Sequence, residues 1–237
     1  MTEHILKAFD ADLQDLRRRI SEMGGIAEKM LVDSITALVR RDTPLAQAVI
    51  ATDARLDVLQ REVEERAILM IARRQPLAVD LRETISAIRV SGDVERIGDL
   101  AKNIGKRALA IAGDFQSQKI EVGVQHMADL VLGQLKDVLD AYAQQNPDQA
   151  LDVWRRDGQI DALYTSLFRE LLTYMMEDPR NISLCVHLLF CAKNIERIGD
   201  HTTNIAETVY YLVTGETLAI DRPKNDRSIA LASDDDA

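Results

Sequence analysis

Apolar residues recur at steps of four and three along most of the chain. Val90, Val94, Ile97, Ala101, Ile104, Ala108 and Ile111 form one unbroken stripe, the pattern of a helix that buries a single face. Cys191, Ile195, Ile198, Thr202, Ile205, Val209 and Leu212 repeat that stripe with one polar member, and Val49, Leu56, Leu59, Val63 and Met70 make a third. Prolines punctuate the pattern. Thr43 before Pro44 and Asn146 before Pro147 read as N-caps with proline at the first helical position, the usual start signal of a helix. The spacing predicts helices over 4–41, 44–74, 77–113, 118–144, 147–177 and 179–214. Segments of about 30 residues make rods of about 45 Å, and linkers of a few residues force neighbours to run antiparallel.

The chain is also written twice. DVERIGDLAKNI at 93–104 and NIERIGDHTTNI at 194–205 agree at seven of twelve positions, at an offset of 101. Pro44 and Pro147 stand 103 apart, as do Pro76 and Pro179, while Asp53-Ala-Arg-Leu-Asp57 answers Asp157-Gly-Gln-Ile-Asp161 at an offset of 104. The drift in offset implies short insertions, which belong in loops. The expected architecture is all-α, two tandem pseudo-symmetric three-helix bundles over 1–114 and 115–215. A disordered acidic tail over 216–237 is expected after them.

Composition narrows the function classes. Eleven glycines, five prolines and few aromatics starve β-hairpins of turns and strand formers, which leaves an all-β fold out. A net charge of −10 repels phosphate backbones, so nucleic acid is not an expected partner. No signal peptide opens the sequence and no run of eighteen apolar residues could span a bilayer, so any membrane contact is expected to go through partners. Cys185 and Cys191 have no zinc-spaced companions and read as buried thiols in a reducing cytoplasm.

The polar face carries the candidate chemistry. Glu95, Asp99 and Asn103 fall together roughly opposite the stripe of their helix, and Glu196, Asp200 and Asn204 do the same in the second copy. Asp53/Asp57 and Asp157/Asp161 lie about as far before the intervening loop as the Glu/Asp pairs lie after it, so each antiparallel hairpin sets its two pairs at one height. Four carboxylates gathered this way repel unless a cation or a raised pKa relieves them. All-oxygen donors with an amide nearby favour Fe, Mn or Mg. A solvated acidic groove with Arg96 and Arg197, or Lys102 and Lys106, as counter-ions is the other reading of the same residues. Gly98 and Gly199 sit in mid-helix, where glycine costs about 1 kcal/mol relative to alanine, and invite close approach of a neighbouring helix or of an ion.

Other signals are weaker. No P-loop, dinucleotide fingerprint, nucleophile elbow, HExxH or ExxH helix occurs, so the usual NTPase, dehydrogenase, hydrolase, zincin and di-iron oxidase equipment is missing. His201, beside Asp200, is a candidate auxiliary ligand. Trp154 and the Met175-Met176 pair read as core filling.

The doubled ERIGD, the QPLAVDLR stretch at 75–82 and the paired D-x-x-[LI]-D segments together resemble the PhoU family over residues 1 to about 215. That resemblance implies a cytoplasmic, all-helical homodimer of two three-helix repeats. It implies negative regulation of the phosphate ABC transporter, through its ATPase subunit, and of the phosphate sensor histidine kinase in phosphate-replete cells. It also implies metal clusters on the motif pairs, here Asp53/Asp57 with Glu95/Asp99 and Asp157/Asp161 with Glu196/Asp200. The family role is regulatory and not enzymatic. A metal-dependent phosphatase or oxidase and a metal-free adaptor are the competing classes.

Overall fold

The computed structural model describes residues 2–113 and 118–218, with side chains from residue 10 in the first stretch and from residue 121 in the second. Residues 219–237, most of the expected tail, and the expected 114/115 boundary lie outside the described residues. Among the described residues seven α-helices follow one another: α1 (Thr2–Arg40), α2 (Thr43–Arg74), α3 (Val79–Ala110), α4 (Gln118–Gln144), α5 (Pro147–Arg155), α6 (Asp157–Glu177) and α7 (Ile182–Thr214). No strand occurs among the described residues. The architecture is the all-helical pair of bundles that the periodicity predicts.

Capping explains the starts of α2 and α5, with one correction. Asn146 caps α5 by accepting from the backbone N–H groups of Asp148 and Gln149. At α2 the cap is Asp42, whose carboxylate accepts from Leu45 N at 2.9 Å, and Thr43 is already helical. A carboxylate at the N-cap also meets the positive end of the helix dipole, which a threonine hydroxyl cannot match. The preceding turns are alike: Arg41 and Gln145 take positive φ, and the next N–H reaches back to Ala37 O at 3.1 Å and to Ala141 O at 2.9 Å.

The expected helix over 147–177 is broken at Arg156 into α5 and α6. The second copy has one residue more between its proline and its first motif aspartate than the first copy has. Inside a continuous helix that residue would turn everything downstream by about 100° and carry Asp157 and Asp161 off their face. The break absorbs the insertion and restores the phase. Arg156 O accepts from Gln159 N at 3.1 Å and also from Gln134 Nε2 at 3.2 Å, so α4 braces the interruption.

All three predicted stripes are buried. The two third helices, α3 and α7, pack against each other, α1 and α2 flank α3, and α4, α5 and α6 flank α7. Contact of α1 with α4 makes the two halves one continuous core, reinforced where Arg41 Nη2 meets Glu121 Oε1 at 2.7 Å. Trp154 is core, as expected, with its indole N–H donating to Glu207 Oε1 at 3.1 Å. Met176 is not: it is 82% exposed at the α6–α7 tip, and only Met175 packs inward.

Candidate metal centre

The two acid groups are placed by a packing contact repeated in both halves. Leu56 lies between Asp53 and Asp57 on α2, and its Cδ1 occupies the space a Cβ on Gly98 would need. Ile160 lies between Asp157 and Asp161 on α6, and its Cδ1 would stand 2.9 Å from a Cβ on Gly199. The glycines of the doubled ERIGD therefore serve close helix approach, and that approach levels each D-x-x-[LI]-D segment with its Glu/Asp pair.

In the first half the acids converge on an ammonium. Lys102 Nζ lies 2.5 Å from Asp53 Oδ2 and 2.5 Å from Asp99 Oδ1, and Arg96 Nη1 lies 3.2 Å from the other oxygen of Asp99. Burial works against the charge of Lys102, but the two carboxylates outweigh it and hold its pKa above the ordinary value. Glu95 is pushed upward, chiefly by burial and then by the negative charges of Asp99, Asp57 and Asp53, with Arg96 opposing. The four acids of this half thus lie within one another's fields, as the height argument predicts. Of the expected counter-ions, Arg96 and Lys102 serve, whereas Lys106 faces elsewhere.

The second half is drier. Asp157, Asp161 and Glu196 are all buried, so this group is not the outward-facing surface cluster that the sequence predicts. The match of Lys102 at the offset of 101 is Thr203, which is too short to reach across the cluster and instead donates its hydroxyl to Asp157 Oδ1 at 3.0 Å. Lys193 Nζ binds Glu196 Oε1 at 2.8 Å, while Glu196 Oε2 is buried without a hydrogen-bond partner. Burial raises the Glu196 pKa, Lys193 opposes it, and Asp200 and Asp161 add to the rise. Sequence reasoning missed Lys193, although its place one turn before Glu196 was legible.

Asn103 and Asn204 leave their acid clusters. Asn204 Nδ2 reaches Asp93 Oδ1 at 3.4 Å, and Asn103 lines a groove with Lys106, Arg107 and Asn194. His201 also turns from Asp200 to Asp93, at 2.8 Å. Among the described residues no three His, Cys, Asp or Glu side chains stand together in an arrangement that could hold a metal ion. The donor chemistry still suits a hard cation. Asp157, Asp161, Glu196 and Asp200 in the second half, where one Glu196 oxygen is unpartnered, and Asp53, Asp57, Glu95 and Asp99 in the first, where Lys102 stands between two of them, are the residues that would have to move together to hold one.

The model of the PhoU domain matches residues 20–108 and again 124–209. The chain belongs to the PhoU family. A phosphate-specific transport system accessory protein PhoU homolog of Rhizobium meliloti is 58% identical over 97% of each chain. One of Caulobacter vibrioides is 53% identical over 95% of this chain and 98% of its own. The crystal structure of PhoU from Pseudomonas aeruginosa matches with a TM-score of 0.85 and 41% identity, covering 88% of this chain and 100% of that one. The phosphate transport system regulatory protein PhoU from Streptococcus pneumoniae matches with a TM-score of 0.82 and 27% identity, over 90% of this chain and 100% of its own. The PhoU relatives are named as accessory proteins of phosphate transport. No helix among the described residues is long and apolar enough to cross a membrane.

Proposed function

We propose that this PhoU-family protein is a cytoplasmic negative regulator that restrains the phosphate ABC transporter, through its ATPase subunit, and the phosphate sensor histidine kinase when phosphate is plentiful. The observation that carries the reading is near-full-length identity to relatives named as accessory proteins of phosphate-specific transport. A contact-based, non-catalytic mode of action is supported by the α2–α3 tip. Leu77 is 79% exposed there, with Val79, Ile68 and Leu69 exposed beside it, an apolar end suited to a partner surface. The homodimer is part of the same proposal.

Fe, Mn or Mg on the carboxylate clusters completes it. Such an ion would neutralise the gathered charge and offer open positions to phosphate oxygens. The unpartnered Glu196 oxygen favours the second half as the first to load. Deleting the gene should give constitutive phosphate-starvation expression, read as alkaline phosphatase, in phosphate excess. Repressible expression unchanged by the deletion would overturn the regulatory reading. Elemental analysis of protein purified without chelator tests the metal separately, and metal content unaffected by the Glu95→Ala, Asp99→Ala, Glu196→Ala, Asp200→Ala variant would remove it.

A further inference from the structure

The antiparallel α3–α7 pair has a pseudo-two-fold relation that exchanges each α3 residue with the α7 residue 101 positions later. A groove of about 380 Å³ beside the crossing is lined by Asn103, Lys106, Arg107, Ala110, Phe190 and Asn194, and the relation gives each of these positions a mate on the other side of the crossing. The mates of Lys106, Arg107 and Asn194 are Glu207, Thr208 and Asp93. Relative to the mate positions, which hold one cation at Arg89, the mate of Phe190, this groove has two cations and neither of the carboxylates Glu207 and Asp93.

That reversal runs against a chain of net charge −10. Neither Lys106 nor Arg107 pairs with a carboxylate among the described residues. Asn103, too, makes no hydrogen bond among them. The Arg107 guanidinium is oriented all the same: it lies 4.2 Å over the centre of the half-exposed Phe190 ring, with Nη1 3.5 Å from His187 Nδ1. Asn194 is pinned by its own amide, which donates to Phe190 O at 2.8 Å. The result is a preset fork of donors, a mobile ammonium and a free amide around a space of ligand size.

We propose that this groove binds a small phosphoryl oxyanion. A tetrahedral anion with several acceptor oxygens can take the planar fork of Arg107, the point charge of Lys106 and the amide of Asn103 together, which a lone carboxylate cannot. The site stands on its own geometry; its choice of phosphoryl over other oxyanions rests on the regulatory reading above. It lies apart from the carboxylate clusters and needs no metal.

Calorimetric titration of the full chain, dialysed against chelator and at low salt, tests the site with inorganic phosphate, sulfate and AMP. One saturable phosphate per chain is expected. Arg107→Gln and Lys106→Gln should each weaken it about tenfold. Asn194→Asp, which gives this position the charge of its mate Asp93 without removing a cation, should weaken it comparably. AMP binding more tightly than free phosphate would identify a nucleotide as the source of the phosphoryl group, and exclusion of AMP would identify free phosphate; both support the site. No saturable binding of any probe up to about 10 mM, or phosphate binding intact in the Lys106→Gln, Arg107→Gln double variant, would overturn it. Because titration of pure protein involves neither transporter nor kinase, its failure is separate from failure of the gene-deletion test. Unchanged thermal melting of the variants keeps loss of binding distinct from loss of fold.

Discussion

Nδ1 of His201 lies 2.8 Å from Oδ1 of Asp93, joining α7 to α3 across the two halves of the chain. A carboxylate can only accept, so the imidazole carries the proton on Nδ1. The pair has no symmetry mate, because position 194 is Asn and position 100 is Leu. Duplication supplied two equivalent positions and divergence made a bond at only one of them.

Removing that bond should loosen the join between the halves. His201→Leu is expected to lower unfolding stability by about 1 kcal/mol, with Asp93 left facing Asn204. Asp93→Asn should recover part of the loss in the His201→Leu background, since an amide tolerates the apolar neighbour better than a carboxylate does. Denaturant unfolding of the two single variants and the double measures this, and strictly additive losses would contradict the coupling.

Close approach at Gly98 is equally open to a double-variant cycle. Gly98→Val drives its side chain into Leu56 and should cost about 2–3 kcal/mol by overpacking. Leu56→Ala alone leaves a cavity and should cost about 3 kcal/mol. Together they should cost clearly less than the sum, because the added methyls enter the vacated space. Gly199→Val with Ile160→Ala should behave alike, as the second copy has the same contact.

Lys102 is the ion that the first acid cluster already has. Lys102→Met leaves Asp53 and Asp99 without their shared partner and should lower stability in metal-free buffer by about 2 kcal/mol. Added Mn should then raise the melting temperature of this variant more than that of the parent protein, since the competing ammonium is gone. Equal shifts in both would show that the ion binds elsewhere.

The cysteines should be inert in the native state. Cys191 is fully buried, and burial pushes its thiol up to about 12 although Arg107 and Arg41 pull the other way. Burial also raises the Cys185 thiol. At pH 8 neither offers appreciable thiolate. A chromogenic disulfide reagent should therefore modify both only as fast as the protein unfolds, and rapid labelling of folded protein would refute the assignment.

How far these features could be read in advance depended on their range. Val90 to Ile111 and Cys191 to Leu212 declared their buried faces, because helical phase is a local property of residues three and four apart. The doubled ERIGD and the proline spacing declared the repeat and the level at which Asp53, Asp57, Glu95 and Asp99 meet. The break at Arg156 was legible as a one-residue drift in offset, but the drift was expected in a loop and falls instead inside the expected helix over 147–177.

Composition and order of residues were enough to settle an all-helical, duplicated chain with two sets of acids on matched rods, since periodicity, caps and rise per residue act within one segment or one hairpin. Lys102 turns as the packing of α2 on α3 allows, and which way His201, Asn103 and Asn204 turn was decided only by the packing of α3 on α7. That packing brings residues about a hundred positions apart into contact, and long side chains choose among several reachable partners according to what the neighbouring helix leaves unfilled.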